Sequence, residues 1–267
     1  MMDGRPRGVA GTDGGGGGSG AGGGRTRIGE TLLRHLELIG RLQPEEREAV
    51  RSLDGQVRQV ARGTDLLSEG ERPDESVIVL SGLLHRYKVN RQGRRQIYSL
   101  YLPGEAPCLE TTPMEVMDNN LAATAPSVIG VIPHCELDRV MSAYPQVLRL
   151  IWRETLVQGA IFREWLMRNS LMLAHEQMAH FFCEIMLRAR RHGAAEGDSC
   201  ALPMTQEDLA DALGVTPVHV NRTLQVLRAG RLVEFRSGRL TVPDWDALAE
   251  IAEFDPLYLH LRSGDED

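Results

Sequence analysis

The sequence is short of cysteine, of long apolar runs and of the motifs that carry chemistry. Four cysteines, Cys108, Cys135, Cys183 and Cys200, are scattered over 267 residues and form no CxxC pair. That argues against a disulfide framework or a structural zinc site and fits a reducing compartment. No apolar run approaches the roughly 20 residues of a membrane span. The amino-terminal stretch has no apolar core of a secretory signal, so a cytoplasmic protein with no membrane partner is expected. Neither GxSxG nor HExxH occurs, and His175 and His180 stand five apart, which is not a metal-binding spacing on a helix. The glycine-rich start lacks GxxxxGK[ST] and a preceding strand, which argues against a nucleotide loop. No enzyme, no metal site and no resident cofactor is therefore expected. The net charge is −7, which disfavours indiscriminate contact with nucleic acid and requires any such contact to be local.

What is present centres on Met204 to Leu227, MTQEDLADALGVTPVHVNRTLQVL. Thr205 suits a helix cap, with Asp208 three residues on. Leu209, Ala210, Ala212 and Leu213 give the first helix its apolar face, and Gly214 breaks it. Thr216 caps a second helix with Pro217 at its first position, where the missing N–H costs nothing. Val220, Leu224 and Leu227 face inward, leaving His219, Asn221, Arg222 and Gln225 on other faces. Beyond Gly230, Arg231–Phe235 and Arg239–Val242 read as short strands joined by Ser237-Gly238. Helix, turn, helix, hairpin is the order of a winged helix. Thr216 to Val242 holds five arginines against one glutamate, a basic segment on an acidic chain. That is the electrostatic footprint of a phosphate-facing surface.

The remainder divides by periodicity. Residues 1–27 are a glycine-rich tail with almost nothing to bury, expected to be disordered. Ile28–Leu38 and Pro44–Leu53 read as short helices. From Gln56 to Pro133 the period changes to that of strands: Gln56–Ala61, Ser76–Leu80, Leu84–Val89, Gln96–Leu102 and a last pair within Leu121–Ile132, an antiparallel sandwich or roll. His134–Ala143 is a short helix, and a long one runs from Pro145 to about Asn169. Its apolar stripe includes Leu148, Leu156 and Phe162 and is wider than one packed face needs, so a partner helix is expected. Leu173–His192 is a further helix, Ala194–Leu202 a loop. The expected domains are a tail (1–27), a β-roll sensor (28–144), a dimerisation helix (145–169), a winged helix-turn-helix (170–254) and a carboxy-terminal tail (255–267). The fold class is α+β.

This layout, with VIVLSGLLHRYKVNRQGRRQIYSLYLPGE in the roll and MTQEDLADALGVTPVHVNRTLQVLRAGRLVE after the long helix, resembles the Crp/Fnr transcription regulators. The resemblance covers about Ile28 to Ile251. It implies a homodimer with a β-roll sensor, a dimer helix and a winged helix that reads an inverted-repeat operator in double-stranded DNA, with RNA polymerase as a further partner. It places base contacts at Thr216, Pro217, Val218, His219, Asn221 and Arg222, of which Arg222 matches the family's arginine and suits guanine O6 and N7 or a phosphate. Val218 stands where the family often has an acidic residue, so the operator is expected to differ from those of the best-known members. Thr205, Gln206, Arg236 and Arg239 are implied phosphate contacts.

The sensor departs from the family's cyclic-nucleotide pattern. Gly104-Glu105 matches the start of the phosphate cassette, yet no lysine or arginine occurs between Arg95 and Arg139. A buried cyclic phosphate would go uncompensated, so conventional cyclic-AMP binding is not expected. Gly104, Glu105 and Cys108 remain the candidate effector pocket, with Glu105 read as a structural remnant and Cys108 as an inert buried thiol. No cysteine precedes Cys108, which excludes an amino-terminal iron–sulfur cluster, and His85 is a weak candidate for a haem ligand. The effector is unknown. The rival reading is a nucleotide or haem sensor that works through protein–protein contacts, its winged helix a docking surface.

Overall fold

The structure is a computed structural model that describes residues 21–261, with side chains from Arg27 onward. The expected disordered tail therefore lies largely outside the described residues, and its boundary moves: helix α1 spans Ala21–Ile39. Leu32, Leu33, Leu36 and Ile39 recur at helical spacing and are buried in a cluster shared with Val147, Leu150 and Ile151. Helix α2 (Pro44–Arg51) opens on proline and a capping box between Gln43 and Glu46.

The roll comprises β1 (Gln56–Val60), β2 (Asp65–Leu67), β3 (Glu75–Ser81), β4 (Leu84–Val89), β5 (Arg95–Tyr101), β6 (Asn120–Ala123) and β7 (Ser127–Pro133). They form two antiparallel sheets, ordered β1-β7-β3 and β2-β6-β4-β5. Strand β2 was not foreseen, because three residues are too few to show an alternation. Val77, Val79, Leu84, Tyr101, Leu121 and Ile129 fill the space between the sheets. The inward alternation of two facing sheets has been used to build a packed interior.

Helices α3 (His134–Ala143), α4 (Pro145–Leu171) and α5 (Ala174–Arg191) follow. Pro145 at the first position of α4 starts it without losing a hydrogen bond. One face of α4 is buried through Val147, Ile151, Val157, Ile161 and Trp165. The opposite face leaves Leu148, Trp152, Leu156, Phe162 and Leu166 exposed, Trp152 by 66% and Leu166 by 61%.

The last unit holds β8 (Ala195–Glu196), β9 (Ser199–Ala201), α6 (Gln206–Leu213), α7 (Pro217–Ala229), β10 (Glu234–Arg236), β11 (Arg239–Thr241) and α8 (Trp245–Ile251). The segment 194–202, expected as a loop, instead supplies two strands to a sheet ordered β10-β11-β9-β8. Leu240 of β11 pairs with Cys200 of β9, a contact no local pattern announces. Residues 255–261 likewise do not trail away. A 3-10 turn over Pro256–Leu259 packs on α4, and the Tyr258 hydroxyl donates to Glu184 Oε2 at 3.0 Å.

Two histidines are held neutral inside this fold. Burial first, and then Arg168, pushes His180 down to about 3; burial and then Arg95 pushes His85 down to about 4. Their folded pKa lies below the unfolded value of about 6.5, so the unfolded chain binds more protons between those limits. Stability is then complete above pH 6.5 and is lost as the pH falls below it. Between pH 6.5 and pH 5 the two together should remove about 2–4 kcal/mol, at about 1.4 kcal/mol per histidine per pH unit. Urea unfolding at half-unit pH steps checks this, and a flat stability curve across that window would refute the burial of these rings as neutral groups.

Candidate nucleic-acid interface

Helix α6 begins where a reciprocal cap makes it begin. Thr205 Oγ1 accepts from the Asp208 backbone N–H at 3.1 Å, and Asp208 Oδ2 accepts from the Thr205 N–H at 2.9 Å. Gly214 ends it in the left-handed conformation, φ +68°, which glycine adopts without a Cβ clash. Thr216 then caps α7 by accepting from His219 N–H at 3.3 Å. Val220, Thr223, Leu224 and Leu227 turn inward onto Leu209, Ala212 and Leu213. The inward side fixes what remains outside.

The outward side gathers most of the expected reading residues. Gln206, Pro217, Val218, Asn221 and Arg222 line one groove together with Gln225. Asn221 Nδ2 donates to Gln206 Oε1 at 3.3 Å, and Gln225 Nε2 donates to Asn221 Oδ1 at 3.1 Å. This chain of amides ties the start of α6 to the face of α7 and orients Asn221. Gln225 was not among the expected reading residues, although its place four positions after Asn221 puts it on the same face. Val218 is 82% exposed, which suits contact with a thymine methyl. His219 and Arg222 are also exposed.

The expected phosphate contacts fare differently. The Thr205 hydroxyl already donates to Asp208 Oδ2 at 2.8 Å. Arg239 pairs with Glu196 at 2.6 Å, both side chains exposed. Arg228 donates to the Phe235 carbonyl and braces the wing from behind. Arg236 is exposed at the hairpin, whose turn residues Ser237 and Gly238 both have positive φ, +50° and +72°. That is the turn geometry that matches the twist of two-residue hairpins.

The three candidate effector residues do not line a common cavity. Gly104, φ +97°, lies so close to His192 that an added Cβ would sit 2.9 Å from its ring. Glu105 is engaged by Arg188 of α5, with Nε to Oε1 at 2.9 Å and Nη2 to Oε2 at 2.7 Å. Burial would raise the Glu105 pKa, but Arg188, His192 and the Leu102 N–H together more than offset it and hold the carboxyl below its ordinary range. Cys108 is fully buried inside the roll, and burial pushes its thiol up to about 12, the opposite of a reactive cysteine.

One cation absent from the cassette sequence arrives through the sheet instead. Arg86 of β4 reaches Asn119 Oδ1 at 2.9 Å, Glu110 Oε1 at 2.6 Å and the carbonyl of Pro107 at 2.5 Å. It is already surrounded by protein acceptors. His85 is also buried, its Nδ1 2.8 Å from Thr124 Oγ1. Among the described residues no group of three or more His, Cys, Asp or Glu side chains is arranged to hold a metal. No helix there is long and apolar enough to cross a membrane.

A β-roll joined by a long helix to a winged helix-turn-helix defines a transcription regulator with a DNA-binding head. The family model for a Crp-like helix-turn-helix domain matches residues 176–251, and that for a cyclic nucleotide-binding domain matches residues 57–144. The chain belongs to the Crp/Fnr family of transcription regulators. It is 28% identical over 194 residues to a probable transcriptional activator of Rhizobium leguminosarum bv. viciae, covering 72% of this chain and 79% of that one. It is 25% identical over 236 residues to the transcriptional activator protein FnrL of Cereibacter sphaeroides, covering 86% and 93%. The solved structure of FixK2 from Bradyrhizobium japonicum shares the fold, with a TM-score of 0.68 at 24% identity over 74% of this chain and 98% of that one. The relatives are regulators, not enzymes.

Proposed function

We propose that the protein is a homodimeric, sequence-specific regulator that reads an inverted-repeat operator through α7, acts in the cytoplasm and contacts RNA polymerase when bound. The observation that carries this reading is the outward face of α7, where Val218, His219, Asn221 and Arg222 stand exposed on a helix whose other side is fully packed. Thr216, Pro217 and Gln206 flank that face, with Arg236 the wing's free phosphate contact and Thr205 and Arg239 secondary ones. The roll (residues 28–144) serves as the sensor, residues 145–171 as the dimer helix and residues 172–261 as the reading head with its carboxy-terminal brace. Two such heads facing one side of a duplex meet half-sites about 34 Å apart.

The second copy is proposed to cover the exposed stripe of α4. A soluble chain has little reason to expose Trp152, Leu156 and Leu166 along one helix unless a partner covers them. Leu156→Glu should raise the dimer dissociation constant at least about 100-fold, since two carboxylates would be buried face to face. Sedimentation equilibrium checks it, and an unchanged dimer would move the interface elsewhere.

A gel-shift series against genomic fragments at fixed salt tests the function itself; no retained fragment would sink it. The rival reading, a sensor whose winged helix docks on protein, predicts a DNA affinity with almost no dependence on salt. The reader proposed here predicts a steep fall of log affinity with log salt concentration. In this proposal the sensor does not hold cyclic AMP in the family's usual way, because Glu105 is occupied by Arg188 and the space between the roll's sheets is filled.

A further inference from the structure

Helix α6 of the reading head is tied to the roll by two arginines, Arg62 and Arg95, and two carboxylates, Asp208 and Asp211. Arg62 Nη2 donates to Asp208 Oδ2 at 2.6 Å, and Arg95 Nη2 donates to Asp208 Oδ1 at 2.9 Å. Arg95 Nε also reaches Asp211 at 2.7 Å. Asp208 is the partner of the cap residue Thr205 in the first turn of α6, so that helix is latched to the roll at its starting turn. Beside this latch lies a cavity of about 140 Å³, lined among others by Arg62, Arg95, Asp208, Tyr87 and His85. It adjoins a larger cleft of about 960 Å³ that shares Arg62, Arg95 and Asp208 and offers a way in.

His85 makes this cavity more than a gap. The residue is 98% buried (2% exposed), and its Nε2 has no hydrogen-bond partner. Its Nδ1 faces the Thr124 hydroxyl, for which no other side-chain partner is present among the described residues. With that hydroxyl donating to Nδ1, the ring proton sits on Nε2 as an unmet donor. A buried donor without an acceptor costs about 1–3 kcal/mol and is rarely kept for nothing. The two guanidinium groups, by contrast, already form a carboxylate seat, each giving one N–H to a different oxygen of Asp208. Asp208 meets both of these arginine donors, and His85 lines the same cavity with its Nε2 unmet.

We propose that this junction is a binding site for a small carboxylate, which takes the place of Asp208 on Arg62 and Arg95, accepts a third hydrogen bond from His85 and loosens α6 from the roll. As α6 moves away, the Asp208 carboxylate keeps the N–H and hydroxyl of Thr205 and exchanges its two arginines for water. The cavity far exceeds the roughly 10–15 Å³ that a single water requires, so it has room for a ligand of several heavy atoms. The effect on the operator rests on the DNA-reading role proposed above; the binding itself does not.

The experiment titrates the full chain, ¹⁵N-labelled, with acetate and with oxalate, using chloride at equal ionic strength as the control. A saturable shift of the His85 ring nitrogens is expected, with faster amide exchange in α6 as the latch opens. His85→Phe should abolish the saturable shift of the neighbouring Thr124 and Tyr87 amides. Asp208→Asn removes the competitor's charge while keeping the cap, so it should tighten binding about tenfold, where a merely structural Asp208 would leave affinity unchanged or weaken it. The proposal is overturned if neither carboxylate produces a shift that chloride fails to reproduce, or if Asp208→Asn binds no more tightly. It is also overturned if ligand binds without changing exchange in α6. Operator affinity measured with and without oxalate separates the two layers. Failure to bind any DNA refutes the reading role alone, whereas DNA binding that saturating oxalate leaves unaltered refutes the loosening.

Discussion

Replacing Glu184 by alanine is expected to cost about 3–5 kcal/mol of folding stability, the range for removing one partner of a buried ion pair. Glu184 is completely buried and gathers four groups. Trp165 Nε1 donates to it at 2.9 Å, Arg188 Nη1 at 2.9 Å and the Tyr258 hydroxyl at 3.0 Å, with Arg168 3.6 Å away. Arg168 is itself fully buried and has two guanidinium nitrogens without a hydrogen-bond partner, so the Glu184 carboxylate is its main compensation. Arg188 keeps Glu105 when Glu184 is lost; Arg168 keeps the ring of His180 at 3.2 Å and the faces of Trp165 and Phe181, but no carboxylate within 4 Å among the described residues. The loss is large beside a total stability of about 5–15 kcal/mol. Urea unfolding measures it. Glu184→Gln, which retains an acceptor for Trp165 but loses the charge, should fall between wild type and alanine. A loss below about 1 kcal/mol for the alanine variant would mean that this network contributes little, as a surface pair does.

Arg222→Ala is expected to weaken operator binding by about 1–3 kcal/mol, roughly 5- to 150-fold, while leaving dimerisation and non-specific DNA binding nearly unchanged. Arg222 is exposed on the proposed reading face beside Asn221 and Gln225, so its removal disturbs no packing. Arg236→Ala makes the contrasting case. A phosphate contact from the wing carries no sequence information, so its loss should weaken all DNA about equally and lower the salt slope by about 1. Fluorescence anisotropy on operator and scrambled duplexes distinguishes the two. If Arg222→Ala bound operator as tightly as the parent, the reading face would have been placed on the wrong side of α7.

The two reading-head helices α6 and α7 and the hairpin after them were legible because each one is specified within a few residues. Thr205 with Asp208, Gly214, Thr216 with Pro217, and Ser237-Gly238 all act over spacings of one to four, and each appears where the local pattern places it. The strands of the roll were legible for the same reason, except β2, which is too short to carry a period. The strands over 195–201 were not legible, since their sequence gains a strand conformation only by pairing with β11. The carboxy-terminal turn escaped notice likewise, because its one strong tie, Tyr258 to Glu184, spans 74 positions.

By itself the sequence determined the order of most elements, the two capped helices α6 and α7 and the missing cassette cation. Tertiary structure decided which charges meet: Arg188 with Glu105 across 83 positions, Arg62 with Asp208 across 146, and Arg86 delivered to the cassette by strand pairing. Caps, turns and amphipathic faces follow from backbone geometry that repeats every few residues, so they can be read along the chain. An ion pair needs two groups a few ångströms apart in a desolvated place, and no local period encodes that. The emptiness beside His85 is of the same kind, a property of how the roll and the head close on each other.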